Sequence, residues 1–325
     1  MGKIDIIGLE PTKVSTDMGS KFFFFYGEPK IGKTSLAMQF PQPLLLAFEK
    51  GYNALSGIYP VDINSWSEVL MVISQLRKPA AKEKYRTIVI DTVDIMYKLC
   101  EEYICANNNV EKIKDIPYGA GYGMVDNEFS RAFRSIIRYG YGLVIVAHAK
   151  IAHTDPEDQN SPKIITPDVP KRAFKVVNAL VDFTCYLGTD DIDGSRHIYY
   201  RQGEGHMAGS HFKHLPSETE ISYDALKSAI ENSITASEKE DGVELTDAPV
   251  DYTAREVDSY DNLMNKCSDL WVKFTQEHPT YILKVSDKLK DLSGHEMRIS
   301  EITKDQIQLL ELIYNYMSEL DAEGA

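Results

Sequence analysis

The stretch Gly27-Glu28-Pro29-Lys30-Ile31-Gly32-Lys33-Thr34, followed by Ser35, constrains this chain more than any other. It fits G-x-x-x-x-G-K-[ST], lying between the apolar run Phe22–Tyr26 and a helix-like run that ends before Pro41. Strand, glycine loop and helix is the context in which this pattern cradles phosphates. The glycines allow backbone N–H groups to turn inward, and the helix N-terminus adds a positive dipole end. Lys33 is placed to reach the outer phosphates and Thr34 to hold Mg²⁺ through its hydroxyl. The pattern therefore predicts a nucleoside triphosphate site, with ATP and Mg²⁺ as ligands, spanning Gly27 to Ser35.

The surrounding sequence predicts an α/β layer fold. Continuous apolar runs are expected as strands at Phe22–Tyr26, Pro43–Phe48, Thr87–Asp91, Leu143–Ala147 and Phe183–Leu187, with a further strand at Ile198–Arg201. Helical runs over 65–76, 93–106 and 125–139 separate them. Buried strands alternating with helices imply a mainly parallel sheet covered on both faces. Ligands of such folds sit at the carboxyl ends of the strands. The length of 325 residues suggests about two domains.

The net charge of −14 is uneven: residues 236–325 carry 20 Asp/Glu against nine Lys/Arg. Residues 236–257, poor in apolar side chains, are read as an acidic flexible linker. Residues 1–235 are then the nucleotide-binding core, and 258–325 a small acidic helical domain. No apolar run approaches the length of a membrane span, and no signal peptide is visible, so a cytoplasmic location is expected. The four cysteines and the histidines at 197, 206, 211 and 214 show no zinc spacing.

Asp91 ends the apolar run TIVID, 58 residues after Lys33, as a Walker B acid does, and is expected to hold the magnesium hydration shell. Hydrolysis also needs a group to orient or deprotonate water. Asp94 and Glu49 are the candidates; Glu49 is preferred because it closes the run PLLLAF, whose carboxyl end faces the outer phosphate in a parallel sheet. His148 closes LVIVA in the same way and is read as a sensor of that phosphate. Two long polar segments suit single-stranded nucleic acid through cations and aromatic rings. Residues 107–123 offer Lys112, Lys114, Tyr118 and Tyr122, and residues 149–175 offer Lys150, Lys163, Lys171 and Arg172. The same composition also describes plain surface loops. Arg201 and Lys213 are candidates for a finger reaching a neighbour's nucleotide, with solvated surface cations as the alternative.

The stretches GEPKIGKTS, LLLAFEKG, TIVIDTVD, IPYGAGYG and LVIVAHAK, in this order, resemble the phage-encoded RecA-like P-loop AAA ATPases over about residues 20–220. That group includes short RecA-core proteins regarded as single-strand annealing recombinases. The resemblance implies a homo-oligomer with nucleotide at subunit interfaces, Lys33 and Thr34 as nucleotide contacts, Asp91 as the metal acid and Glu49 as the catalytic glutamate. The strand ending in His148 ends in Gln in RecA-type proteins. The two polar segments match the DNA-binding loops of RecA. The expected function is ATP-dependent binding of single-stranded DNA to promote annealing or strand pairing. A replicative helicase or loader is a second expectation. A third is a scaffold whose C-terminal domain docks a single-strand-binding protein.

Overall fold

The computed structural model describes residues 11–155, 157–158, 160–190, 193–249 and 260–324. They divide into two compact units, one within 11–249 and one within 260–324.

The first unit opens with β1 (Val14–Ser15), β2 (Phe22–Gly27), α1 (Lys33–Ala37), β3 (Pro43–Ala47), β4 (Pro60–Asp62), α2 (Trp66–Leu76) and α3 (Pro79–Lys84). It continues through β5 (Thr87–Asp91), α4 (Val93–Asn107), α5 (Ala120–Arg138), β6 (Gly142–His153), β7 (Lys163–Pro167) and α6 (Lys171–Asn178). It closes with β8 (Phe183–Thr189), β9 (Arg196–Tyr199), β10 (Gly209–Ser210), β11 (Glu218–Glu220), α7 (Tyr223–Asp241) and β12 (Leu245–Thr246).

The main sheet has the order β11-β9-β8-β2-β6-β5-β3-β4, with β10 joined to β8 and β7 to β6. The pairs β8-β2, β2-β6, β6-β5, β5-β3 and β3-β4 are parallel. The additions β9, β10, β11 and β7 are antiparallel. Side chains alternate across the pleat, so FFFFYG feeds two cores. Phe22, Phe24 and Tyr26 face the layer of Trp66, Met96, Phe129 and Phe133 on α2, α4 and α5. Phe23 and Phe25 face Leu36 of α1 and Leu226, Ile230 and Ile234 of α7. A strand buried on both sides must be apolar at every position, which is why these runs are continuous.

The expected linker from 236 is corrected over its described part. Residues 236–241 are the last turns of α7, which stops at Gly242 in the left-handed conformation, φ 69°. Leu245–Thr246 then pairs parallel with Val14–Ser15, and the Ser15 hydroxyl donates to the Ala248 carbonyl at 2.6 Å. The acidic run looks like a linker because it is the exposed end of an amphipathic helix whose other face buries Ile230, Ser233 and Ile234. The remainder, 250–257, lies outside the described residues.

The second unit comprises α8 (Tyr260–Glu277), α9 (Pro279–Ser293) and α10 (Ile307–Gly324). Leu263, Cys267, Phe274, Val285, Leu289, Ile313 and Met317 form its own core. The helical domain expected from the sequence is present, its apolar residues recurring at helical spacing.

Candidate functional site

The parallel strands bring their carboxyl ends into one row. Register aligns Ala47 with Asp91, Asp91 with Val146, and Gly27 with both His148 and Leu187. The residues that follow or close these strands, Glu49, Asp91, His148 and the loop after Gly27, therefore share one edge of the sheet.

The loop backbone is set by two glycines. A Cβ on Gly27 would lie 2.3 Å from the Leu187 carbonyl oxygen, and Gly32 has φ +116°, a conformation open to glycine. Lys33 starts α1 and is buried at 6% exposure. Its ammonium donates to the carbonyls of Gly27 at 2.9 Å and Glu28 at 2.7 Å. Burial pulls its pKa below the usual lysine value, against the nearby carboxylates of Asp91, Glu49 and Glu28. The Thr34 hydroxyl donates to Asp91 Oδ2 at 2.5 Å. Burial pushes Asp91 above the ordinary carboxylate range, opposed by the Thr34 hydrogen bond and the Lys33 charge. The peptide bond Asp91–Thr92 is cis.

Glu49 Oε2 lies 3.3 Å from His148 Nε2, and Glu49 Oε1 accepts from Thr92 Oγ1 at 3.5 Å. His148 Nδ1 is buried without a hydrogen-bond partner. Thus Glu49, named in sequence as the base, and His148, named as the sensor, are in contact. Asp94 lies in the first turn of α4.

A hydroxyl and a carboxylate are the hard oxygen donors that Mg²⁺ takes from protein, the phosphates and water completing its shell. Thr34 and Asp91 fit that ion, and the Gly27–Lys33 turn with its buried ammonium fits a triphosphate.

Segments expected as loops are partly regular. Residues 149–153 continue β6 and pair with 163–167 of β7 in a hairpin, Ala149 opposite Pro167. The Asp168 N–H donates to the His148 carbonyl at 2.8 Å, so the hairpin is anchored at His148 itself. Lys150 pairs with Asp168 at 3.0 Å, while Lys163 and Lys171 are exposed. In the other segment, two 3-10 turns, Ile113–Asp115 and Pro117–Gly119, are pinned by buried Ile113 and Ile116. They leave Lys112, Lys114 and Tyr118 exposed, Tyr118 fully so with φ +58°. Tyr122 lies in the first turn of α5 under the Arg172 guanidinium, 4.8 Å from the ring centre, and Arg172 pairs with Asp126 at 2.7 Å. Arg201 donates to the carbonyls of Phe212, Lys213 and Leu215, and the Lys213 ammonium pairs with Asp241 at 2.8 Å. In this structure both finger candidates are tied down within their own chain.

Sequence reasoning missed a cleft of about 650 Å³ beside the loop, bounded by Ile31, Ser35 and Gln39 on one side and Arg196, His197 and Ile221 on the other. The second group comes from the β8–β9 hairpin and the residue after β11, which fold back onto α1 only in three dimensions. No local pattern signals that approach.

Residues 21–212 match the AAA domain family. The chain is also 27% identical to the SPbeta prophage-derived uncharacterized protein YorG of Bacillus subtilis (strain 168), over 98% of this chain and 99% of that protein. Among the described residues no helix is long and apolar enough to cross a membrane.

Proposed function

The chain belongs to the AAA domain family, and from that premise we propose a phage ATPase of RecA-like type that binds single-stranded DNA and promotes annealing or strand pairing. The observation that carries this reading is the contact between Glu49 and His148 at 3.3 Å, with His148 leading directly into the β6–β7 hairpin. One carboxylate at the nucleotide edge is thereby joined, through one side chain, to the base of the hairpin that carries Lys150 and Lys163.

Lys33 leaves the Gly27 and Glu28 carbonyls to meet the phosphates. Thr34 and Asp91 hold Mg²⁺, which neutralises charge on the phosphates when bound. Glu49 takes the proton of the attacking water; its hydrogen-bonding neighbours are an imidazole and a hydroxyl. His148 exchanges its Glu49 contact for the outer phosphate and transmits that change to Lys150 and Lys163. Lys112, Lys114, Tyr118, Tyr122, Lys171 and Arg172 complete the DNA-facing set. Copies of the chain assemble with nucleotide between them.

The ATPase rate with and without single-stranded DNA, at two salt concentrations, tests the reading. Stimulation that fades with salt supports it, because phosphate contacts weaken as counterions are added. A rate indifferent to DNA refutes it.

A scaffold reading draws on one observation in the second unit, a cleft of about 460 Å³ lined largely by Met264, Trp271, Val285, Leu289, Met297 and Ile299. It predicts that a single-strand-binding protein docks there. Deleting residues 260–325 would then abolish that docking and leave DNA binding intact.

A further inference from the structure

We propose that the end of the first unit opposite the nucleotide edge carries a second path for single-stranded nucleic acid, one that needs no nucleotide. It is built from the segment Arg77–Arg86 and the last two turns of α5. Within a chain of net charge −14, residues 77–86 hold five cations (Arg77, Lys78, Lys82, Lys84, Arg86) and one acid, Glu83. Residues 131–138 hold Arg131, Arg134 and Arg138 and no acid.

The fold places the two segments side by side. The Tyr141 hydroxyl, three residues past α5, donates to the Leu76 carbonyl at 2.8 Å. The Gly142 N–H donates to the Arg86 carbonyl at 2.9 Å. Lys82, Tyr85 and Arg86 border one cleft together with Tyr139 and Tyr141. A second cleft of about 500 Å³ runs along α5 past Arg131, Arg134 and Arg138, with Asn127 and Ser130 in the turn before them. These residues precede β5 and β6, whereas Asp91 closes β5 and His148 ends the part of β6 that pairs with β2, at the other edge. A five-residue strand at about 3.3 Å per residue puts about 15 Å between the two edges.

Most of these cations are left without counter-charges. Arg86 pairs with Asp17 at 2.6 Å and Arg131 with Glu128 at 3.3 Å. Among the described residues Arg77, Lys78, Lys82, Lys84, Arg134 and Arg138 have no ion pair, and all six are exposed. Unpaired surface cations in an acidic protein oppose one another, so they mark a surface for a polyanion. Rings lie among them: Tyr59 is 52% exposed, with the Lys84 ammonium 4.4 Å over it and 5.1 Å over Tyr85. The two segments expose no large aliphatic side chain. Cations interleaved with tyrosines suit phosphates and stacked bases, whereas an apolar docking surface is missing.

This path is independent of the recombination reading, since it involves no nucleotide and none of the residues of the sheet's carboxyl edge. The test is fluorescence anisotropy of a labelled oligothymidylate with the full chain, without nucleotide, between about 50 and 200 mM salt. Nucleotide-free binding is expected. K82E/K84E and R134E/R138E should each weaken it about tenfold or more and flatten the salt dependence by about 0.7 in log–log slope for each phosphate the variant no longer neutralises. K227A, on α7, should leave it unchanged. Circular dichroism and melting establish that the variants fold, and the neutral variants K82A/K84A and R134A/R138A should show a smaller loss of the same sign. Absence of nucleotide-free binding overturns the proposal, as does wild-type affinity in both folded charge-reversal variants. Binding of polyglutamate at these residues in place of the oligonucleotide would assign the surface to an acidic protein and overturn it equally.

Discussion

Replacing Glu49 with Gln separates the two things asked of that side chain. Its oxygens sit 3.3 Å from His148 Nε2 and 3.5 Å from Thr92 Oγ1, distances at the outer limit of hydrogen bonding, and the side chain is 40% exposed. An amide of the same shape can keep both contacts, and an exposed pair of this kind contributes at most about 1 kcal/mol. Folding should therefore change little, with the melting temperature moving by no more than about 4 °C. Lys33 keeps its loop carbonyls and Thr34 its contact with Asp91, so nucleotide binding should persist. What disappears is basicity: loss of a general base costs about 10²–10⁴ in rate, or about 3–5 kcal/mol of barrier. Single-turnover phosphate release measures the rate, and retention of labelled ATP on a filter measures the bound state. The expected outcome is a folded protein that holds ATP and releases almost no phosphate. Hydrolysis at the wild-type rate would remove Glu49 from the chemistry and return Asp94 to consideration. Loss of ATP binding with turnover per bound nucleotide unchanged would also refute the assignment.

Lys33→Ala removes an ammonium that burial already disfavours, so stability should be nearly unchanged while nucleotide binding, read by fluorescence of a labelled ATP analogue, falls by two orders of magnitude or more, about 3 kcal/mol. Asp182 supplies a pH test away from the nucleotide: burial holds its carboxyl above the ordinary range, and its Oδ2 accepts from the Phe22 N–H at 2.9 Å. The folded state then keeps a proton that the unfolded chain releases, so this group's stabilisation is complete below the ordinary carboxylate pKa and is lost as pH rises through the raised value. Asp182→Asn keeps an oxygen for Phe22 and should flatten that limb of the melting temperature against pH; an unchanged profile would show that Asp182 does not titrate there. Ending the chain at residue 235 removes the last turns of α7, β12 and the Ser15–Ala248 hydrogen bond, whereas ending it at 249 keeps them. The shorter chain should melt lower by about 4–8 °C, taking a loss of about 2 kcal/mol in a unit of this size, and equal melting would mean that β1–β12 pairing contributes nothing.

How far the fold could be read in advance depended on whether each signal was local. The strands of the sheet centre were visible because burial on both faces demands unbroken apolar runs, as in Phe22–Gly27 and Leu143–Ala147. Their carboxyl ends then placed Lys33, Thr34, Glu49, Asp91 and His148 along one edge, and the structure puts Thr34 on Asp91 and Glu49 on His148. Glycines misled in one place. Gly121 and Gly123 made residues 107–123 look like one long loop, yet α5 begins at Ala120. A Cβ on Gly121 would fall 2.7 Å from the Ile113 carbonyl oxygen. That glycine permits a helix to approach the 3-10 turn before it, a packing role that composition cannot distinguish from flexibility. The β6–β7 hairpin was hidden for the complementary reason. Half of its residues face solvent and its pairing partner lies beyond a polar turn, so hydropathy falls just where the strand leaves the core, Ile151 being 70% exposed. The basic end of the unit was harder still, because neither Arg77–Arg86 nor Arg131–Arg138 is unusual alone. Only the hydrogen bond from Tyr141 to Leu76 and the shared cleft at Lys82 and Tyr139 make them one surface. The nucleotide edge is thus written in short contiguous motifs, while the basic end of the unit is assembled by tertiary contacts between segments more than 50 residues apart.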